Sequence, residues 1–147
     1  MNTKVVVTGA TGFLGKKVIY ALKRLNYSPI ALGRNRSIGE QFVQDAIPFI
    51  SVDLTNREET IKAFEGIDYV IHCAGLSSIW GPKSAFIKAN VVAIEHVVEA
   101  CHIHQIKRLV HISTPSLYFD YQDKYNLTEA DLIPKKFVND YASSKKK

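Results

Sequence analysis

The stretch VVVTGATGFLGKKV, residues 5–18, decides the fold of this chain. Three glycines follow an apolar run of strand length: Gly9, Gly12 and Gly15. Beyond them, apolar residues recur at helical spacing: Leu14, Val18, Leu22 and Leu25. Glycines at this junction permit a tight turn, the approach of a pyrophosphate to the backbone, and close packing of helix on strand. The stretch therefore predicts a dinucleotide site at a helix N-terminus.

Apolar runs of strand length recur five times: KVVVT (4–8), PIALG (29–33), PFISV (48–52), DYVIHCA (68–74) and RLVHIS (108–113). They are continuous rather than alternating, which is typical of parallel strands buried on both faces. The later helix-like segments are Ser37–Val43, Asn56–Phe64 after a cap at Thr55 or Asn56, and Ser84–His102. This alternation predicts an α/β fold, a Rossmann-type doubly wound parallel sheet that stops after about five strands and occupies one domain, residues 1–147.

Composition narrows the class of protein. With 46% hydrophobic and 22% charged residues the chain reads as a globular protein, and no secretory signal is visible, so we expect a cytoplasmic location and no membrane association. Three of the charges behind the net +5 are lysines at the end of the chain, so we expect no nucleic-acid partner. The two cysteines lack metal-ligand spacing, and we expect no metal site.

Several motifs occur in a fixed order: TGATGFLG (8–15), VDL (52–54), HCAG (72–75), NVVA (90–93), HISTPSLYFD (111–120) and YASSK (141–145). Together they resemble the extended branch of the short-chain dehydrogenase/reductase superfamily, which includes NAD-dependent epimerases and dehydratases and 3β-hydroxysteroid dehydrogenases. The resemblance covers the whole chain and implies an NAD(P)-dependent oxidoreductase. Extended members continue well past Tyr-x-x-x-Lys, so we expect this chain to be an N-terminal portion without the substrate-binding part, and its activity alone to be doubtful.

The resemblance also implies the catalytic residues. Tyr141 and Lys145 share a helix face, so the ammonium can lower a phenol pKa that is ordinarily about 10. Thr114, with Ser113 as its competitor, would bond the substrate oxygen. Asn90 would support a proton relay, or would act as a structural hydrogen-bonding residue. The helix that should carry Tyr141 and Lys145 has almost no length left to form.

The cofactor residues implied by the resemblance are Gly9, Thr11, Gly12, Phe13, Leu14, Gly15, Asp53, Leu54, Cys73, Ala74, Gly75, Tyr141 and Lys145. Asp53 would contact the adenine, the alternative being a helix cap or turn residue. Gly33 stands where NAD-preferring members carry Asp, and Arg34 and Arg36 follow it. A guanidinium suits a 2′-phosphate, so NADP(H) is favoured over NAD(H).

Two details favour a hydrophobic hydroxy or keto substrate. Phe119 replaces the glycine usual in nucleotide-sugar enzymes, and SSIWGP with Trp80 resembles 3β-hydroxysteroid dehydrogenases. A 3β-hydroxysteroid dehydrogenase-like enzyme or ketoreductase is therefore favoured, with a nucleotide-sugar epimerase or dehydratase and a non-catalytic NADP-binding sensor or scaffold as alternatives. Family members commonly form homodimers through the fourth and fifth helices, so we expect a homodimer acting on a small-molecule substrate.

Overall fold

Five parallel strands form the centre of the structure. The computed structural model describes residues 3–146, so the predicted domain extends beyond the described residues at both ends. The strands are β1 (Lys4–Thr8), β2 (Ser28–Gly33), β3 (Phe49–Ser51), β4 (Tyr69–His72) and β5 (Arg108–His111). They pair in the order β3-β2-β1-β4-β5, and every pair is parallel. The chain therefore leaves β1 first toward one edge of the sheet and then toward the other, which confirms the predicted Rossmann-type fold.

The helices are α1 (Phe13–Arg24), α2 (Arg36–Gln44), α3 (Arg57–Ala63), α4 (Lys83–Ile87), α5 (Ala93–Ile103) and α6 (Asp140–Lys146). A π-helical turn, Lys88–Val92, joins α4 to α5, so the helix predicted over Ser84–His102 is present but contains an irregular turn. The side-chain oxygens of Asn35 and Asn56 accept backbone N–H bonds at the starts of α2 and α3. Asn56, rather than Thr55, is therefore the cap of α3.

Helices cover both faces of the sheet and form two cores. Val6 of β1 packs with residues of α3 and α5, whereas Val7 packs with residues of α1 and α2. Both valines are fully buried, because successive side chains of a strand point to opposite faces. This two-sided burial explains why the central strands are continuously apolar.

The prediction of five buried strands is wrong for β5. This strand pairs with β4 and lies at the sheet edge, where the Val110 side chain is 46% exposed. Beyond β5 come a 3₁₀ turn (Pro115–Tyr118) and an irregular segment, and the next helix is α6. An apolar run predicts a strand but not its neighbours, so the sequence pattern could not distinguish an edge strand from a central one.

The short helix α6 forms despite its length, so the expectation that it had no room was wrong. The Asn139 side-chain oxygen accepts the Ala142 N–H at 2.8 Å. Ala142 and Ser144 are buried, and α6 packs against α4, the π-helical turn and the 3₁₀ turn. Tertiary packing here replaces the length that an isolated helix would need.

Candidate functional site

A cleft of about 520 Å³ lies at the carboxyl ends of β1, β2 and β4. It sits where the strand order reverses, which is the usual ligand position in open parallel sheets. The predicted cofactor residues that line it are Gly9, Thr11, Gly12, Arg34, Asp53, Leu54, Cys73, Ala74 and Gly75. The structure thus gathers residues from four separate sequence motifs around one cavity, and their contact with a cofactor remains a prediction.

The glycine turn forms one wall of the cleft. Gly9 has a φ of +64°, and a Cβ there would lie 2.7 Å from the Ala74 backbone, so the turns after β1 and β4 touch directly. Gly15 is buried outside the cleft, where a Cβ would overlap the Gly9 carbonyl. Gly15 therefore holds α1 against the turn instead of facing a ligand.

Phe13 and Leu14 lie in the first turn of α1 and also fall outside the cleft lining. Their side chains are 85% and 43% exposed. The first N–H groups of a helix have no partner within it, and no side chain caps α1. Backbone N–H groups at this helix end can therefore bind an anion such as a pyrophosphate.

Residues at the end of β2 are the ones from which the sequence predicts NADP(H) over NAD(H). Gly33, Arg34 and Asn35 line the cleft, whereas Arg36, the first residue of α2, does not. A Cβ on Gly33 would lie 2.9 Å from the Thr11 side chain, so a larger residue at position 33 would have to displace it. Of the two predicted phosphate-binding arginines, the structure therefore places one at the cleft.

Asp53 lines the cleft and also closes a turn, which was the alternative role; its contact with an adenine stays a prediction. Its Oδ1 accepts the Thr55 backbone N–H at 3.0 Å and the Thr55 hydroxyl at 2.8 Å. The backbone bond from Thr55 is the main cause of a lowered Asp53 pKa, and the charges of Arg34 and Lys88 act in the same direction. The carboxylate is thus ionised at neutral pH, with Oδ2 left for another donor.

Another part of the cleft wall was not predicted from the sequence. It contains Ala85, Lys88, Ala89 and Ala93 from α4, the π-helical turn and α5. The alanines recur at every fourth position, and this spacing was the available signal. Small side chains here keep the cleft open, and Lys88 adds a cation at its edge.

Asn90 links the cleft to α6. Its Oδ1 accepts the Leu76 N–H at 2.7 Å, and its Nδ2 donates to the Leu76 carbonyl at 3.1 Å and to Ser144 Oγ at 2.8 Å. Ser144 Oγ in turn donates to the Tyr141 carbonyl at 2.7 Å. Asn90 is therefore a structural clamp between the turn after β4 and α6, and its relay role stays a prediction.

Three of the predicted catalytic residues lie on two elements that pack together: Tyr141 and Lys145 on α6, and Thr114 at the start of the 3₁₀ turn after β5; none of the three lines the cleft. Tyr141 and Lys145 lie one turn apart on α6, and Lys145 Nζ donates to the Ile112 carbonyl at 2.7 Å. Burial lowers the Lys145 pKa. The Thr114 hydroxyl donates to Ser116 Oγ at 3.1 Å, at the start of the 3₁₀ turn that packs on α6. Ser113, its competitor, is exposed.

The described residues were also compared with the requirements of a metal site and of a membrane-spanning helix. Among residues 3–146, no group of three or more His, Cys, Asp or Glu side chains is arranged to hold a metal ion. None of the helices described above combines the length and apolar character needed to span a bilayer.

Comparison with known proteins gives consistent matches. The family described as NAD dependent epimerase/dehydratase matches residues 5–146. An uncharacterized Escherichia coli protein, YbjS, is 37% identical over 97% of this chain and 42% of its own length. A 2-alkyl-3-oxoalkanoate reductase of Shewanella oneidensis is 32% identical over 95% of this chain and 35% of its own length.

A solved structure supports the same relationship. UDP-glucose 4-epimerase of Thermus thermophilus, in complex with NAD, matches with a TM-score of 0.84 and 25% identity, over 97% of this chain and 47% of that one. The chain thus spans less than half the length of each of these relatives. With a family match that covers nearly every residue, on a Rossmann-type sheet with its cleft at the strand-order reversal, the chain belongs to the NAD dependent epimerase/dehydratase family.

Proposed function

We propose that the whole protein containing this sequence is an NAD(P)-dependent oxidoreductase that transfers a hydride between nicotinamide and a hydroxyl or keto substrate. The observation that carries the proposal is the link from the cleft through Leu76, Asn90 and Ser144 to α6. It ties the helix of Tyr141 and Lys145 to the turn after β4, and Leu76 of that turn lines the cleft. The presence of both residues favours an enzyme over the non-catalytic sensor.

The residues present fit a dinucleotide. Gly9 and Gly12 leave a cradle that a Cβ at Gly9 would make impossible, and the uncapped N–H groups at the start of α1 can bind a phosphate. When bound, the nicotinamide supplies or accepts the hydride. The Tyr141 hydroxyl then gives or takes the matching proton, while the Lys145 ammonium stabilises its phenolate. Thr114 exchanges its bond to Ser116 for one to the substrate oxygen.

We favour NADP(H) as the cofactor. Arg34 lines the cleft at the end of β2, and Gly33 supplies no carboxylate to bond a ribose 2′-hydroxyl. A planar guanidinium binds a phosphate through paired N–H groups and gains little from a neutral diol.

The substrate we favour is a hydrophobic keto or hydroxy compound. Exposed apolar and aromatic side chains lie in the segment after β5 and Thr114: Phe119, Tyr121, Tyr125, Leu132 and Ile133. The similarity to a 2-alkyl-3-oxoalkanoate reductase supports a 3-keto acid with alkyl chains. Nucleotide sugars are the competing class, because a solved relative is a UDP-glucose epimerase.

Activity of the whole protein tests this proposal. We expect NADPH consumption with alkyl-branched 3-oxo acids, and little conversion of UDP-glucose. Tyr141→Phe should lower kcat at least about 100-fold, because general acid–base catalysis contributes about 10²- to 10⁴-fold. Tyr27→Phe, which changes an exposed tyrosine after α1, is the control and should leave kcat unchanged. Tight NADPH binding without turnover of either substrate class would instead favour the sensor.

Cofactor choice has a separate test. Arg34→Ala should weaken NADPH binding about tenfold or more and leave NADH binding nearly unchanged, because a hydrogen bond to a charged group contributes about 1.5–3 kcal/mol. Arg36→Ala should change NADPH binding less, since Arg36 lies outside the cleft. Arg24→Ala, at the end of α1, serves as the surface control. Fluorescence titration with both nucleotides gives the dissociation constants, and equal losses for NADPH and NADH in Arg34→Ala would contradict the assignment.

A further inference from the structure

Two histidines on neighbouring strands connect the buried core to α6. His72 of β4 and His111 of β5 are register partners, and their rings stack with centroids 5.2 Å apart. His72 Nδ1 lies 2.8 Å from the Thr8 hydroxyl, and His111 Nε2 lies 3.3 Å from Lys145 Nζ. Four side chains therefore form a continuous line from β1 to the candidate catalytic lysine.

Burial keeps the inner ring of this line neutral. The Ala74 N–H donates to Thr8 Oγ1 at 3.3 Å, and the Thr8 hydroxyl lies 2.8 Å from His72 Nδ1. Burial, with smaller effects of His111 and Lys145, lowers the His72 pKa to about 3. His72 is thus a neutral group behind His111 throughout the physiological range.

His111 faces an ammonium and must accept from it. His111 is an exposed residue of the edge strand β5, yet partial desolvation of its ring and the neighbouring Lys145 charge lower the His111 pKa below its ordinary value of 6.5. The ring is therefore neutral at pH 7 and its Nε2 lone pair is available. The titratable groups that face this ring are His72 from β4 and Lys145 from α6. None of the ion pairs within residues 3–146 includes Lys145 or His111.

Two acceptors, in the last residue of β5 and in the residue after it, thereby fix the lysine. The ammonium has three N–H groups, of which one points to the Ile112 carbonyl and one to His111 Nε2. The third remains for another acceptor. Because β5 is anchored in the sheet, these two bonds define where the charge of Lys145 lies relative to Tyr141.

We propose that His111 is a positioning residue for Lys145: its neutral imidazole holds the ammonium at the end of β5, and protonation of the imidazole releases it. The inference rests on the function proposed above for Lys145. Protonation replaces an acceptor with a second cation, so the lysine is correctly placed above the lowered His111 pKa and is displaced as the pH falls through it.

The direct test needs no turnover. Imidazole NMR signals of this chain, without cofactor, give the His111 pKa in the wild type and in Lys145→Met. We expect the value to rise toward about 6.5 when the neighbouring charge is removed. Lys107→Met is the matched control, since Lys107 pairs with Asp68 instead, and it should leave the His111 pKa unchanged. An unchanged His111 pKa in Lys145→Met would overturn the proposal.

Kinetics of the whole protein then separate positioning from a merely structural role. His111→Gln keeps an acceptor but cannot titrate, so it should retain most of the kcat at pH 7 and lose the acidic decline that we expect in the wild type below the lowered His111 pKa. His111→Leu, which has no acceptor, should lower kcat about tenfold at every pH. Equal acidic declines in the wild type and His111→Gln would overturn the proposal.

The two readouts also distinguish this inference from the proposed function. If the whole protein lacks reductase activity while the His111 pKa responds to Lys145→Met, the coupling stands and the enzymatic proposal fails. If activity is present but neither the His111 pKa nor the pH profile responds, the enzymatic proposal stands and the positioning role fails.

Discussion

Burial of a single imidazole at His72 makes the fold sensitive to acid. The side chain is 1% exposed and its pKa is lowered to about 3, whereas the unfolded chain takes up this proton near pH 6.5. Below pH 6.5 the unfolded state therefore binds more protons, and the free energy of unfolding falls as the pH drops toward 3. The slope for one group is about 1.4 kcal/mol per pH unit, so His72 alone removes about 3 kcal/mol between pH 7 and 4.5.

A non-titrating substitution isolates this contribution. His72→Asn keeps polar side-chain atoms that can bond the Thr8 hydroxyl, but it loses the buried ring, so it should be less stable than the wild type at pH 7. Because Asn does not titrate, the variant should lose about 3 kcal/mol less on acidification to pH 4.5. Urea unfolding at the two pH values measures the difference. Val70→Ala, a buried change on the same strand that does not titrate, should show the wild-type acid loss. Matching acid losses in all three proteins would rule out His72 as the source.

Among the elements, α1 depends most strictly on one residue. Gly→Ala inside a helix ordinarily gains up to about 1 kcal/mol from helix propensity. At Gly15 the added Cβ would overlap the Gly9 carbonyl and lie 2.7 Å from its carbon, and both are backbone atoms that cannot turn aside. We therefore expect Gly15→Ala to destabilise the chain by about 3 kcal/mol, in the upper range of overpacking effects.

Thermal or urea unfolding of Gly15→Ala measures this loss. Lys17→Ala, on the exposed side of the same helix, is the matched control and should change stability by less than about 0.5 kcal/mol. A stable Gly15→Ala would mean that α1 can shift away from β1, and the close packing inferred for the dinucleotide motif would then be wrong.

Some helices and turns could be predicted from the sequence and others could not, and the difference has a physical cause. The glycine turn and α1 follow from local pattern, because turn chemistry and helical spacing are both properties of neighbouring residues. The π-helical turn around Asn90 carries no such mark, since it accompanies hydrogen bonds from Asn90 to Leu76 and Ser144, which are distant in sequence. For the same reason the stability of α6 escaped prediction: it comes from burial of Ala142 and Ser144 against other elements.

At the scale of the whole molecule, the motifs located the cleft but not all of its walls. Gly9, Asp53 and Ala74 belong to motifs that follow parallel strands. Because the carboxyl ends of parallel strands lie at the same end of the sheet, the sequence predicted that these residues line one cleft. Lys88, Ala85 and Ala89 belong to helical segments whose orientation depends on packing, and Arg36, the first residue of α2, is not among the residues that line the cleft. Residues beside strand ends were therefore predictable, whereas residues on helices facing the cleft were not.

The predicted homodimer also belongs to this scale. The outer face of α5 carries a shallow groove lined by Ile94, Glu95, Val98, Glu99, His102 and Ile103. Val98 and Ile103 are 39% and 51% exposed, so this face has apolar side chains without partners in the described part of the chain. In a two-fold symmetric dimer the same face meets itself, and an antiparallel pair centred on Val98 places Glu95 of one copy near His102 of the other.

This arrangement makes a specific prediction for the whole protein. Val98→Glu places two carboxylates at the symmetry axis, where like charges repel and cannot be solvated, so we expect the mass measured by light scattering to fall from that of a dimer to that of a monomer. Val43→Glu on α2 is the matched control, because Val43 is 60% exposed on the opposite side of the sheet and the dimer should persist. A wild-type protein that is already monomeric, or a dimer that survives Val98→Glu, would contradict a dimer interface centred on Val98 of α5.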